Sequence, residues 1–285
     1  MSDTFQIDAN IHAGRNDIPI RFAHHKTFDK PQNHVLHINN YIEFYVYISG
    51  NHNYVVSNSL YKLQEGDIII INSREVHKAL TLNETMYERF YFLIDENIFA
   101  DMYFNPLASI LSKLSKSENL VRFEADKKAE ILSMLYQVSD CFRDGKDEQF
   151  RALSILMRLL DEINTRLTES GSESGNVAHT PDLLQKILSY MEQNLTTISS
   201  TSEIAHQFGI TPQYLSNYFA KHIGTPPKAY IQAKRIAFAK TMLDKGADVT
   251  TACYESGFND CSYFIRIFKK YVGQTPLGYK QALKK

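Results

Sequence analysis

Residues 253–276 read CYESGFNDCSYFIRIFKKYVGQTP, and residues 205–226 read AHQFGITPQYLSNYFAKHIGTP. Each stretch holds a short helical pattern, a tight turn, a second helical pattern with an aromatic seam, and a Gly that is followed by Pro within three residues. Helix, turn and helix is the pattern of a DNA-reading unit whose second helix enters the major groove. The sequence therefore predicts two helix-turn-helix units, at about residues 200–223 and 248–272.

Both units contain the three parts that this motif needs. These are a small residue where the helices cross, a Gly at the turn, and a polar cap for the second helix. In the first unit they are Ala205, Gly209 and Thr211, and in the second they are Cys253, Gly257 and Asp260. The distance from the small residue to the last Phe of the seam is one residue longer in the second unit, so its turn is predicted to be one residue longer.

The seams determine which side chains of each second helix point outward. The predicted seams are Tyr214, Leu215, Tyr218 and Phe219 in the first unit, and Tyr263, Phe264, Ile267 and Phe268 in the second. The predicted DNA contacts are Gln213, Ser216, Asn217 and Lys221 in the first unit, and Ser262, Ile265, Arg266, Lys269 and Lys270 in the second. Asn, Gln and Arg can read base edges, whereas Lys is better suited to phosphates. On an isolated helix, the same side chains would be read as a solvent-exposed face.

The charge of the chain is divided unevenly. Over its 285 residues it carries 31 basic and 32 acidic residues. Residues 181–285 hold 13 basic and 7 acidic residues, whereas residues 1–180 hold 18 basic and 25 acidic residues. A basic C-terminal domain behind an acidic N-terminal domain favours a polyanion-binding module joined to a regulatory one.

The rest of the chain predicts an α+β multidomain protein. A Ser- and Gly-rich linker at 169–180 separates a domain at 1–168 from the all-α domain at 181–285. The stretches 41–49, 53–58 and 66–72 read as short strands of a barrel or jelly roll. Helical spacing over 126–142 and 147–168 follows, and an apolar stripe of the second helix either covers the barrel or forms a dimer interface. The chain has no apolar run of membrane-spanning length and no signal pattern, so we expect a cytoplasmic protein with no membrane partner.

The segment SGFNDCSYFIRIFKKYVGQTPLGYK, 256–280, resembles the DNA-binding domain of the AraC/XylS family of bacterial transcription regulators. The resemblance covers residues 181–285 and implies seven helices, with two helix-turn-helix units joined by a long central helix, here at about 227–245. Two departures are visible. Cys253 stands where the family usually has Ala, and the first unit has Asn217 and Ala220 where many members have a basic residue.

Residues 34–77 resemble the cupin barrel that precedes this domain in many such regulators. Glu43 keeps the spacing of the first cupin motif, and the segment from Gly66 to His77 resembles the second. The metal-binding version needs His-x-His before the Glu, but this chain has His37 and Asn39 there, so we expect no metal and no cofactor. The candidate effector-binding residues are His37, Glu43, Tyr45, Tyr47 and His77. The neighbouring pair His24 and His25 is expected in a surface loop, or else at the barrel mouth.

These observations predict a homodimeric, ligand-responsive regulator rather than an enzyme. Its expected partners are promoter DNA, RNA polymerase and a small-molecule effector. The family resemblance implies an activator of a catabolic operon, with a sugar as a common effector. Two alternatives stay open: a metal-dependent cupin enzyme with an auxiliary helical domain, and a DNA-binding regulator that needs no effector.

Overall fold

The computed structural model describes residues 4–12, 19–31, 36–73, 75–99, 105–114, 119–169 and 180–283. Nine strands lie in the described residues of the N-terminal part. They are Phe5–His12 (β1), Pro19–Asp29 (β2), Ile42–Ser49 (β3), His52–Val56 (β4), Ser59–Lys62 (β5), Ile68–Ile71 (β6), His77–Thr81 (β7), Thr85–Ile94 (β8) and Leu120–Val121 (β9).

The strands form two sheets that face each other. The larger sheet has the strand order β1-β2-β8-β3-β6-β9, and the smaller has the order β5-β4-β7. An isolated bridge between His37 and His77 brings the segment before β3 to the edge of the smaller sheet. Aromatic and aliphatic side chains from both sheets pack together between them. The predicted sheet-rich N-terminal fold is thus confirmed as a sandwich of two sheets.

The strand β3 separates two environments, because successive side chains of a strand point to opposite faces. Glu43, Tyr45 and Tyr47 face the smaller sheet, as the alternation of the sequence predicts. Phe44 and Val46 face the opposite way, into a core shared with the helices Pro106–Lys113 (α1), Ala125–Asp140 (α2) and Gln149–Glu169 (α3). A short 3-10 helix, Arg143–Gly145, lies between α2 and α3.

The apolar stripe of α3 is a core face. Leu156, Leu160 and Ile163 are buried against the larger sheet and α2. Only the first residue of the stripe, Phe150, is left with 85% of its surface exposed. Of the two roles predicted for this stripe, the structure therefore shows the covering of the sheet.

The C-terminal part consists of seven helices in the described residues. They are Asp182–Gln193 (α4), Thr201–Gln207 (α5), Pro212–Ile223 (α6), Pro227–Asp244 (α7), Val249–Glu255 (α8), Cys261–Val272 (α9) and Pro276–Ala282 (α10). The central helix α7 ends as predicted, just before Gly246, whose φ of +94° suits a Gly. The predicted linker lies almost wholly outside the described residues, which omit 170–179.

The helical domain packs directly on the smaller sheet. Val55, Leu60 and Leu80 of that sheet belong to the same buried cluster as the core of the helical domain. In the middle of this interface, the Tyr230 hydroxyl donates to the backbone carbonyl of Ser57 and, at 3.0 Å, to Asn58 Oδ1. Tyr230 is 1% exposed. The two domains therefore share a core.

Candidate nucleic-acid interface and ligand cavity

The helices α5 and α6 form one helix-turn-helix unit, and α8 and α9 form a second. In the first, the Thr211 hydroxyl caps α6 by accepting from Tyr214 N at 3.1 Å. In the second, the Asp260 carboxylate caps α9 by accepting from the backbone N–H groups of Ser262 and Tyr263 at 2.8 and 3.1 Å. Four residues separate the helices of the first unit and five separate those of the second. The predicted difference in turn length is confirmed.

Glycines allow the sharp turns. Gly209 and Gly257 have φ values of +63° and +86°, a region in which a side chain would be strained. At Gly257, a Cβ atom would also lie 2.6 Å from the Thr196 carbonyl oxygen. The turn of the second unit is therefore packed closely against the loop that follows α4.

The predicted DNA-contact residues lie on the open faces of α6 and α9. All are exposed except Ser216, which is half-buried. On α6, Gln213 Nε2 donates to Asn217 Oδ1 at 3.0 Å, so these two amides form one hydrogen-bonding surface. On α9, the Arg266 guanidinium lies 5.2 Å from the centre of the Tyr263 ring, which supports its position.

One predicted seam residue lies elsewhere. Tyr214 is 48% exposed and stacks on Tyr218, with the ring centres 5.7 Å apart. The buried seam of α6 consists instead of Leu215, Phe219 and Ile223. The His222 ring follows Tyr218, with the ring centres 4.5 Å apart and the planes tilted by 50°. The aromatic row therefore follows the edge of the helix rather than its core face.

The C-terminal ends of the two recognition helices differ. Both helices end at a left-handed Gly, namely Gly224 on α6 and Gly273 on α9. The Lys78 ammonium of β7 donates to the Gly224 carbonyl at 2.7 Å, and the Leu80 side chain covers the Gly224 Cα. Burial lowers the pKa of Lys78. A Cβ atom at Gly273 would meet nothing within 4 Å. Among the described residues, only the first unit therefore contacts the N-terminal domain at this position.

Between the two sheets lies a cavity of about 290 Å³. Its walls carry four tyrosine rings, three ionisable groups and a few other side chains. The lining residues are His37, Asn39, Glu43, Tyr45, Tyr54, Ala79, Tyr87, Arg89, Tyr91 and Leu93. Aromatic walls with a small number of polar groups are typical of sites for small organic ligands.

The polar end of the cavity is built around Glu43. Its carboxylate accepts from Asn39 Nδ2 at 2.9 Å and lies 3.2 Å from His77 Nε2. The His77 Nδ1 atom lies 2.7 Å from the Glu75 carbonyl oxygen, which orients the ring. Burial disfavours both charges, but each partner more than offsets it, so the pKa of Glu43 is lowered and that of His77 is raised. The arrangement favours an ion pair.

His37, Glu43 and His77 are also the one group of potential metal ligands in the part of the chain that the structure describes. Their ligand atoms lie within 4.8 Å of one another. Three protein ligands suffice for an open zinc site. However, the position of a fourth cupin ligand holds Asn39, whose amide hydrogen-bonds to the Glu43 carboxylate instead. The cavity also contains the Arg89 guanidinium, whose positive charge disfavours a cation. The residues present fit a metal poorly.

The predicted effector-binding residues fall into three places. His37, Glu43 and Tyr45 line the cavity. His77 lies behind Glu43, as its partner. Tyr47 lies outside the cavity wall, and its hydroxyl donates to the Gly50 carbonyl at 2.5 Å.

Arg89 and Tyr87 were not among the sequence candidates, although both line the cavity. They lie on β8 at alternate positions. The period of two in the segment TMYERFYFLI, 85–94, could have indicated that both residues lie on the same face of a strand. The histidine pair was also misplaced. His24 and His25 lie on β2 and are buried, His24 against Ser139 and Glu88 and His25 against Asp8.

Comparisons with known proteins agree with the geometry of the helical domain. Residues 204–282 match a family model described as a helix-turn-helix domain. The chain is 29% identical over 151 residues to YijO, an uncharacterized HTH-type transcriptional regulator of Escherichia coli (strain K12), in an alignment that spans 52% of each chain. It is 20% identical over 251 residues to the HTH-type transcriptional activator RhaR of Yersinia pestis bv. Antiqua (strain Angola), covering 87% of this chain and 84% of RhaR.

Two solved structures also align with the chain. ToxT from Vibrio cholerae O395 aligns over 92% of this chain and 98% of its own, with 16% identity and a TM-score of 0.37. The C-terminal domain of the two-component response regulator yesN from Fusobacterium nucleatum aligns over 34% of this chain and 95% of its own, with 31% identity and a TM-score of 0.33. No helix in the described parts of the chain is both long and apolar enough to cross a membrane. The matched helix-turn-helix domain, its duplicated geometry and the relatives YijO and RhaR make the chain similar to DNA-binding transcription regulators, in agreement with the predicted AraC-type resemblance.

Proposed function

We propose that this regulator responds to a small molecule bound in the cavity between its two sheets. The observation that carries the proposal is the position of β7. One face of this strand adjoins the cavity, through Ala79 and, behind Glu43, His77. The opposite face holds the first recognition helix, through Lys78 and Leu80 at Gly224. A ligand that moves β7 would therefore also move α6.

A ligand can switch the protein only if it binds two arrangements of the domains with different affinity. The shared core and the Lys78–Gly224 hydrogen bond define one such arrangement. In it, the N-terminal domain holds the end of the first recognition helix, whereas no described residue would meet a Cβ at Gly273 of the second. Binding in the cavity would release or reposition the first unit, so that both recognition helices enter successive major grooves.

The experiment is a paired screen on the full-length protein. A DNA site is first selected from a random duplex library with the wild-type protein. Monosaccharides and small organic acids are then tested for a shift of the melting midpoint, and each stabilising compound for its effect on DNA affinity by fluorescence anisotropy. We expect at least one compound to change both. If every stabilising compound leaves DNA affinity unchanged, the regulator is independent of an effector.

The finer parts of the function are also proposals. The relative RhaR is a transcriptional activator, which supports activation as the sign of regulation. Action on a nearby operon and contact with RNA polymerase rest on the family resemblance. A catabolic, sugar-related role rests on the family resemblance alone. The expected homodimer cannot use the buried part of the α3 stripe, and sedimentation of the free protein and of its DNA complex tests it.

The rival function is a metal-dependent enzyme with His37, Glu43 and His77 as ligands. The proximity of their ligand atoms is the observation that favours it. Metal analysis of the purified protein decides between the two. A stoichiometric transition metal that is lost in His77→Ala would support the enzyme, whereas a substoichiometric content unaffected by the substitution would exclude that metal site.

A further inference from the structure

The cavity contains one guanidinium with a buried nitrogen that has no hydrogen-bond partner among the described residues. The Arg89 Nη1 atom is buried and makes no hydrogen bond to any described residue. No carboxylate of the described residues lies within ion-pair distance of this guanidinium, which instead lies 4.5 Å from the centre of the Tyr87 ring. Because an unpaired charged donor loses its water without compensation, it is costly in the empty protein.

The neighbouring acid in the cavity does not supply the missing partner. Glu43 is already engaged by Asn39 and His77. The alternation of β8 places Arg89 on the cavity side between Tyr87 and Tyr91, whose rings form an aromatic wall on both sides of it. The guanidinium therefore points a planar set of donors toward a space that has aromatic walls and an acidic far end.

We infer that the cavity binds a small organic carboxylate, which Arg89 recognises through its guanidinium. This inference rests on the proposed role of the cavity as the effector site and narrows the chemical class of the effector. A guanidinium matches a carboxylate with two parallel hydrogen bonds. The aromatic rings would contact the carbon skeleton of the ligand. The Glu43 carboxylate would accept a hydrogen bond from a hydroxyl group of the ligand.

A single carboxylate fits the site better than a phosphate. One guanidinium balances one negative charge, and the Glu43–His77 ion pair supplies no further positive charge to balance a second. The volume of about 290 Å³ suits a small molecule. Among sugar-like compounds, we therefore expect a sugar acid to bind more tightly than the neutral sugar with the same ring.

The test uses thermal melting of the full-length protein at constant pH and ionic strength. The probes are acetate, benzoate, benzamide and phosphate, with chloride as the reference. Benzamide matches benzoate in shape but carries no charge. We expect acetate or benzoate to raise the wild-type midpoint by about 2 °C or more, and benzamide and phosphate to have a smaller effect.

Arg89→Gln should abolish the shift, and Arg89→Lys, which keeps the charge but not the planar fork, should reduce it. The unliganded Arg89→Gln protein should melt no lower than wild type, since it loses an unpaired charge. Equal shifts in wild type and Arg89→Gln, or no shift with either carboxylate, would overturn the inference.

DNA affinity measured in the same samples separates this inference from the proposed function. If carboxylates bind through Arg89 but leave DNA affinity unchanged, the carboxylate site is supported and the proposed response to a ligand is contradicted. If a neutral sugar stabilises wild type and Arg89→Gln alike and changes DNA affinity, the proposed response to a ligand is supported and the carboxylate site is contradicted.

Discussion

The two helix-turn-helix units have the same architecture but different surroundings. Each recognition helix ends at a left-handed Gly, and each exposes polar side chains on the face away from its buried seam. The first presents uncharged amides, Gln213 and Asn217, and its end is held by the N-terminal domain. The second presents Arg266 and two lysines, and no described residue of that domain would meet a Cβ at its terminal Gly273. We propose that the duplication separates two tasks: the second unit anchors the protein to DNA, and the first carries the contact that a ligand can change.

The largest difference is expected between Arg266 and Asn217, which occupy the same position of their helices. Arg266→Ala should weaken binding to the selected DNA site by about 1–3 kcal/mol and relax one base position, because it removes a side chain suited to guanine. Asn217→Ala should weaken binding to the same DNA site by less than Arg266→Ala does. Fluorescence anisotropy with the wild-type site and a base-substituted series measures both, and circular dichroism checks that the variants fold.

The second difference concerns the two glycines that end the recognition helices. Gly224→Ala and Gly273→Ala both place a side chain in left-handed backbone, which costs about 1 kcal/mol of stability. Only at Gly224 would the new Cβ also collide with Leu80, and lie 2.9 Å from Lys78 Nζ. We expect urea denaturation to show a further loss of about 1–3 kcal/mol for Gly224→Ala. Equal losses in the two variants would mean that the domains do not touch at α6 in solution.

A smaller effect is expected from Lys270, at the end of the second recognition helix. Lys270→Ala should weaken binding to specific and random DNA alike and lower the salt slope by about one phosphate contact. Lys221→Ala changes the equivalent position of the first unit and is the matched comparison. A loss that is confined to the selected DNA site would contradict the phosphate role of Lys270.

The smallest effect is expected at the domain contact itself. Lys78→Met removes the hydrogen bond to the Gly224 carbonyl, which is worth about 1 kcal/mol. Because the first unit is then less restrained, DNA affinity without ligand should rise a few-fold. Lys62→Met, an exposed lysine at the end of β5 of the same sheet, removes the same charge without that bond and should have no such effect.

Local patterns predicted the helical domain well, because caps, turn glycines and apolar spacing act within a few residues. Thr211, Asp260, Gly209 and Gly257 all play the predicted parts. The period of two in β3 likewise placed Glu43 and Tyr45 on one face. The alternation did not predict that the Tyr47 hydroxyl donates to the Gly50 carbonyl rather than facing the cavity.

The parts that sequence reasoning missed depend on distant contacts. The Lys78–Gly224 hydrogen bond joins residues 146 positions apart, and the sequence around neither residue predicts it. Arg89 became a cavity residue only through the pairing of β8 with β3, which places it opposite Tyr47. His24 and His25 looked like loop residues because they are polar, but β2 pairs on both sides and buries them.

Amide hydrogen exchange at the ends of α6 and α9 tests most directly whether the two units differ through domain contact. The Gly224 N–H donates to the Ala220 carbonyl and the Gly273 N–H to the Lys269 carbonyl, both at 2.9 Å, so the two amides are matched. In the free protein we predict a higher protection factor at Gly224, falling toward that of Gly273 in Lys78→Met. Equal protection of the two glycines in wild type, or a Gly224 value that Lys78→Met leaves unchanged, would contradict the account.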